Sequence, residues 1–423
     1  MKLRKKRAKS NPKTTDLKNK LVASYKRLGE IHQALGEIDK AETFFKLEAD
    51  LIKAFSQSNL NSVDLKSKLA ISYRKLGDIH YNALDELDKA LEFYELENDL
   101  FKELTKSYPK SELFQKDLAI SYGKRGDVYQ ALGKTNKALM FFELSYQLSQ
   151  ELYKSNPKNN EFKNALAISC GKLGDFYHVS GKLEKALTLI ELGTRLFKEL
   201  HESYPQKKPF KHVLASSYKK LGDIHQALDH IEKALPFFEL GIDLFKALDE
   251  EYPEEKFFRN ELFLSHGKRG DIYQALGQIE KALECFQLYH HLIQEIHKSN
   301  PENEDLRGRL ALSYGKLGEI HHILGNLEKA QMFFEKEIDL FQEFFDSNPK
   351  ELEMKKALAI SYHKLGEVYQ AQKKPFYEIT ANRQRKQQAK AMHTQAIAFW
   401  QALYDLTQLE EYKGYIAYTK TLL

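Results

Sequence analysis

The sequence predicts an all-α chain: an α-solenoid of eight antiparallel helix pairs closed by a C-terminal capping helix. Three observations carry this. Gly29, Gly77, Gly126, Gly174, Gly222, Gly270, Gly318 and Gly366 recur every 48 residues, with a single interval of 49. Around each glycine one string returns, in the form Leu-Ala-Ile-Ser-Tyr-x-Lys-Leu-Gly-Asp-Ile-His, then Ala-Leu-Gly, then Lys-Ala-Leu-x-Phe-Phe-Glu. Within every copy the apolar residues fall at helical spacing rather than alternating as in a strand. A lone helix hairpin cannot bury both of its apolar faces, so the copies must stack.

Each element follows from its residues. Residues 1–13 hold seven basic side chains and read as a basic tail. The repeats then occupy residues 14–374. In each copy the first helix carries one apolar stripe: a leucine (Leu21, Leu69, Leu118, Leu166, Leu214, Leu262, Leu310, Leu358), a serine, then the residues flanking the glycine. A second glycine (Gly36, Gly133, Gly181, Gly277, Gly325) ends that helix in the left-handed conformation. Asp85, Asp229 and Lys373 replace it, which predicts a turn that varies between copies. The second helix carries Lys-Ala and then aromatic pairs such as Phe141-Phe142, and it stops before Pro109, Pro157, Pro205, Pro253, Pro301 and Pro349. Pro236 lies inside one such helix and is expected to bend it. In the eighth copy an insertion at 375–387 precedes a second helix and cap at 388–423, with Ala391 taken as the small packing residue.

Composition excludes several classes. With 42% hydrophobic residues and 26 Phe the chain is too apolar to be disordered. The formal charge is +5, yet residues 1–20 hold nine basic side chains and one acidic, so the remainder carries −3 and is no basic nucleic-acid binder. No apolar run suits a membrane span and no apolar signal segment follows the basic start, which points to a cytoplasmic protein. Cys170 and Cys285 are too few for a disulfide framework.

The pattern resembles the tetratricopeptide repeat family. Tyr25, Leu28, Gly29, His32, Gly36, Ala41 and Phe45 carry the match in the first copy, with counterparts onward over roughly residues 14–408. The long period is similar to that of kinesin-light-chain-like arrays and of bacterial regulators. The resemblance implies a right-handed superhelix whose concave wall is lined by first helices, and a non-enzymatic scaffold or adaptor for a protein or peptide.

Helix geometry independently gathers on one face the positions two before, one after and four after each glycine. The first is always basic: Arg27, Lys75, Lys124, Lys172, Lys220, Lys268, Lys316, Lys364. The second is always acidic: Glu30, Asp78, Asp127, Asp175, Asp223, Asp271, Glu319, Glu367. These groups can pair within and between copies, as a self-neutralising ladder or as a partner's contacts. The third, uncharged and hydrogen-bonding, includes Gln33, Gln130, Gln226, Gln274 and Gln370, which suit the backbone of an extended peptide. Glycine three before the signature glycine in four copies (Gly123, Gly171, Gly267, Gly315) points to close approach of a neighbour.

No catalytic constellation remains. A serine on the buried stripe of all eight copies is a packing residue bonded back to a carbonyl, since a nucleophile is needed once. His32, His80, His225 and His321 stand where other copies have Tyr129, Tyr177, Tyr273 and Tyr369, and no metal-ligand spacing accompanies the histidines. No cofactor is expected. The C-terminal region, with Arg383, Arg385, Trp400 and Tyr404, reads as a docking end for an effector such as a protease or for a second copy. A third reading, from the basic tail alone, is contact with nucleic acid through residues 1–13.

Overall fold

The computed structural model describes residues 12–58, 62–347, 349, 351–372 and 379–423. Among these the chain forms seventeen helices and no strand. It divides into two compact units between Pro205 and Gln206. The first unit contains α1 (Pro12–Ala34), α2 (Ile38–Ser58), α3 (Val63–Asn82), α4 (Leu87–Ser107), α5 (Glu112–Ala131), α6 (Thr135–Ser155), α7 (Asn160–Val179) and α8 (Leu183–Ser203). The second contains α9 (Lys208–Ala227), α10 (Ile231–Glu251), α11 (Lys256–Ala275), α12 (Ile279–Ser299), α13 (Glu304–Ile323), α14 (Leu327–Ser347), α15 (Leu352–Ala371), α16 (Ile379–Thr407) and α17 (Glu410–Lys420). Within each unit every helix packs on the one before and the one after it, so hairpins stack in chain order.

Local chemistry sets the helix ends. Ser62, Asn159 and Asn303 cap α3, α7 and α13 by accepting hydrogen bonds from backbone N–H groups of the first turn. The turn inside each hairpin is more uniform than the sequence suggests. Asp85 (φ 51°) and Asp229 (φ 60°) take the left-handed conformation that Gly36 (φ 74°) and its counterparts take. A short acidic side chain tolerates that region better than most, so the turn survives the replacement. Lys373 lies outside the described residues. Pro236 sits inside α10, which continues from Ile231 to Glu251.

The signature glycine is set by packing. A Cβ on Gly126 would lie 2.5 Å from the Phe142 ring, and one on Gly222 would lie 2.6 Å from Phe238. The rings therefore rest directly on the first helix's backbone. One turn before the residue that meets the glycine, a ring in six copies and Ile190 in the fourth, Ala41, Ala90, Ala138, Ala186, Ala234, Ala282 and Ala330 are all fully buried.

The eighth copy departs from the expected register. Its small buried residue is Ala389, 2% exposed, whereas Ala391 is exposed. His393 then takes the aromatic position, with its ring against Gly366. The helix shifts so that Ala389 and His393, four residues apart, share the buried face. Helix α17 closes this end. It buries Trp400, Leu403, Tyr412 and Ile416 against Ala359 and Ala396.

A candidate partner-binding wall

The first helices of adjacent copies touch in both units, α5 against α7 and α13 against α15. Their outer faces therefore join into strips, and the charged positions meet there. Lys75 bonds Glu30 at 2.5 Å, Lys124 reaches Asp78 at 2.7 Å, and Lys172 pairs with Asp127. In the second unit Lys268 lies 3.4 Å from Asp223, Lys316 lies 2.8 Å from Asp271, and Lys364 pairs with Glu319. Each of these rungs joins the lysine of one copy to the acid of the copy before it. The geometry is a ladder of inter-copy ion pairs, and its half-exposed members contribute little stability each.

Burial tunes the rungs unequally. The hydrogen bond from Lys75 holds the Glu30 carboxyl below its ordinary range. Burial pushes Asp127 upward against the pull of Lys172. Burial and the neighbouring charge of Lys316 lower Lys364 to about 8, although it pairs with Glu319. The glutamines beside the ladder differ too: Gln33, Gln130 and Gln370 are exposed, while Gln226 and Gln274 are half-buried. Gln370 donates to the Leu422 carbonyl at 2.7 Å, so the end of the chain occupies it.

The position three before each glycine has a counterpart on the second helix, which sequence reading missed. Arg74 bonds Glu97 at 2.5 Å and Asp117 at 3.1 Å, holding two buried carboxylates. Gly315 stands where that arginine would be, and the Glu337 carboxylate lies against it. Gly123 faces the Ser145 hydroxyl, whereas a Cβ on Gly171 would meet nothing within 4 Å. Close approach thus accounts for Gly123 and Gly315 and leaves Gly171 open. The comparison that reveals this is internal, between the copies of this one sequence.

The repeated serines are buried in six copies, half-buried at Ser217 and exposed at Ser24 in the first copy, where the expectation of a buried stripe fails. Ser72, Ser217, Ser265 and Ser361 donate to carbonyls one turn earlier, and Ser121 accepts from Asn98. His32, His80, His225 and His321 stack on Phe44, Phe93, Phe237 and Phe333. Cys170 and Cys285 are buried free thiols, and burial pushes Cys170 up to about 12.

The C-terminal end corrects one expectation. Trp400 is 3% exposed, its ring stacked 5.7 Å from Tyr412 and 4.7 Å from Tyr415, because α17 covers it. A residue so enclosed cannot anchor a partner in this conformation. Arg385 is pinned to Gln331 and Gln372, Tyr404 is half-buried beneath Lys413, and Arg383 is exposed. Residues 1–11 of the basic tail and 373–378 of the insertion region lie outside the described residues. No helix among the described residues is long and apolar enough to cross a membrane.

Comparison with known proteins agrees with the architecture. A tetratricopeptide repeat family model matches residues 119–152, 210–243, 265–289 and 311–343. No curated protein sequence matches the chain. Among solved structures, a signal transduction ATPase with numerous domains and a tetratricopeptide repeat sensor, from Pyrococcus horikoshii, aligns with 92% of this chain at 14% identity and a TM-score of 0.52. This chain covers 54% of that protein's length. BtubC from P. vanneervenii aligns with 62% of this chain and 91% of its own at 17% identity and a TM-score of 0.42. YrrB, a repeat protein with an unusual peptide-binding site, aligns with 61% of this chain and 96% of its own at 16% identity and a TM-score of 0.36. At these identities the likeness is one of fold.

Proposed function

Because the chain is built of tetratricopeptide repeats, we propose that it is a non-catalytic scaffold that binds a protein or an extended peptide along the first-helix strips. The observation that carries this reading is the inter-copy ladder together with the glutamine row beside it. Paired lysines and carboxylates present both signs of charge at a regular spacing. Exposed Gln130 adds a donor and an acceptor without charge. Such a surface can exchange its internal ion pairs for a partner's backbone and side chains.

The test begins with capture and mass spectrometry, using the intact chain as bait, to obtain a partner. Gln130→Ala combined with Gln226→Ala should then weaken that partner's affinity while the helical circular-dichroism signal stays unchanged. An unaltered affinity in the double variant rejects the wall as the binding surface.

A further inference from the structure

Setting the second helices of the copies side by side reveals one substitution. The residue that lies about two helical turns past the aromatic position is Ile52, Phe101, Phe197, Phe245, Ile293 or Phe341 in six copies. All six are buried, none more than 4% exposed. Each fills the space between its own hairpin and the next: Phe101 packs among Ala70, Phe114 and Leu118, and Ile293 among Phe263, Leu306 and Leu310. In the third copy this position is Ser149. Ser145 stands one turn earlier, and Gly123 faces it from the first helix.

Beside this position a cavity of about 460 Å³, open to solvent, lies between α5, α6 and α7. Its floor includes Ser145, Ser149 and Ala165, and Ile120 and Ile168 stand at its mouth. Ser149 and Ser145 are 1% and 5% exposed, while Ile168 is 43% exposed, so the hole runs from the hairpin interior to the wall. Two floor hydroxyls are spent internally: Ser145 donates to the Ala119 carbonyl at 2.8 Å and Ser169 to the Leu166 carbonyl at 2.9 Å. The lining therefore makes little polar demand on an occupant. Lys116, Lys124 and Lys172 ring the mouth, and each is already paired with an acid, Glu161, Asp78 and Asp127 respectively. A hollow of this size leaves apolar wall in contact with water that a filled position would bury. It also falls in the size range of ligand pockets.

We infer that this cavity receives one large apolar side chain, aromatic or branched aliphatic, from an extended peptide. The apolar group replaces the phenylalanine or isoleucine that six other copies supply for themselves. The inference rests on the wall-binding reading and adds its anchor point, in copies three and four.

The probe for the test is N-acetyl-L-phenylalaninamide, which carries the side chain without a peptide. Its binding to the full chain is followed by saturation-transfer difference NMR. Wild-type protein should give a signal. Ser149→Phe, which restores the residue of the other copies, should lower fragment affinity by at least about tenfold while raising the melting temperature. Ile168→Glu alters only the exposed rim, so folding is not at stake, and it should give the same loss. Absence of fragment binding to the wild type, or binding undiminished in Ile168→Glu, overturns the pocket. The wall is judged separately by the glutamine double variant. Loss of partner affinity there with no fragment binding leaves the wall standing and removes the pocket, and the opposite pattern removes the wall and keeps the pocket.

Discussion

Glu337 is the most informative residue to perturb in the second unit. It is 7% exposed, and its carboxylate lies against the backbone of Gly315. Burial pushes its pKa up to about 8; Ser361 and the charge of Lys316 oppose the rise without cancelling it. Lys316 is engaged by Asp271 at 2.8 Å. An acid whose folded pKa lies above its unfolded value holds its proton in the native state, so folding is favoured at low pH. That contribution is fully present below the unfolded value of 4.5 and is lost as pH rises through about 8. The slope between those limits is at most roughly 1.4 kcal/mol per pH unit, and the whole effect at most on the order of 5 kcal/mol. Glu337→Gln keeps the shape and removes the titration. Urea unfolding, followed by Trp400 fluorescence at about pH 5, 7 and 9, should show the variant gaining stability over wild type as pH rises. The first unit holds a comparison: at Glu97, the equivalent position, Arg74 at 2.5 Å opposes the burial that pushes the carboxyl up to about 7. Glu97→Gln should lower stability at neutral pH by breaking a buried pair. If wild type and Glu337→Gln keep a constant difference across the pH range, Glu337 is ionised in the native protein and the reasoning fails.

Two further predictions test the packing and the cap. Ala186→Phe forces a large ring into a fully buried contact, and it should cost about 1–3 kcal/mol or more in chemical denaturation. Unchanged unfolding would mean that α7 and α8 do not pack as described. His393 is fully buried, with neither ring nitrogen hydrogen-bonded, and burial lowers its pKa while His363 adds to the effect and Glu367 opposes it. A histidine lowered in the folded state stabilises the docked cap above its unfolded value near 6.5 and loses that contribution as the solution becomes more acidic. Trp400 emission should therefore shift red below about pH 6, and His393→Phe, the aromatic type used by other copies, should remove the shift.

The periodic features were legible in the sequence because a repeat states its constraints eight times. Helix pairing, the left-handed turn, the buried alanines and the back-bonded serines each rest on a local rule that recurs at a fixed offset. The ladder was legible as two rows of charge, but periodicity alone could not decide whether Lys124 turns to Asp127 in its own copy or to Asp78 in the previous one. That choice depends on the offset between stacked hairpins, which no single copy contains. The eighth copy misled for the opposite reason. Ala391 follows a lysine as the packing alanine does in the other seven copies, whereas Ala389 follows Gln388, and only the burial of His393 against Gly366 selects Ala389. Trp400 looked like an anchor because a lone tryptophan at a chain end resembles an interface residue. The eleven residues of α17 are enough to enclose it.

Beneath the uniform ladder the copies differ at one paired position, and the differences are coupled. Arg74 meets Glu97, Gly123 meets Ser145, Gly267 meets Tyr289, and Gly315 meets Glu337. Gly193 lies against Gly171, and Gly241 against Lys219. In four of these pairs a large or charged residue on one helix is answered by a complementary or absent side chain on the other, and in two both sides are small, so each hairpin solves the same contact differently. Stacking demands that the two sides of each pair fit. Stability therefore explains the complementarity within each pair but not the variety between pairs. The variety lies just under the wall, where it sets local charge, depth and compliance while the ladder above keeps its spacing. The third copy takes this furthest, pairing Gly123 with Ser145 and giving up the large residue beside them at Ser149. On this argument affinity is unevenly distributed along the wall, concentrated where the hairpin interior has been hollowed rather than where the charges are most regular.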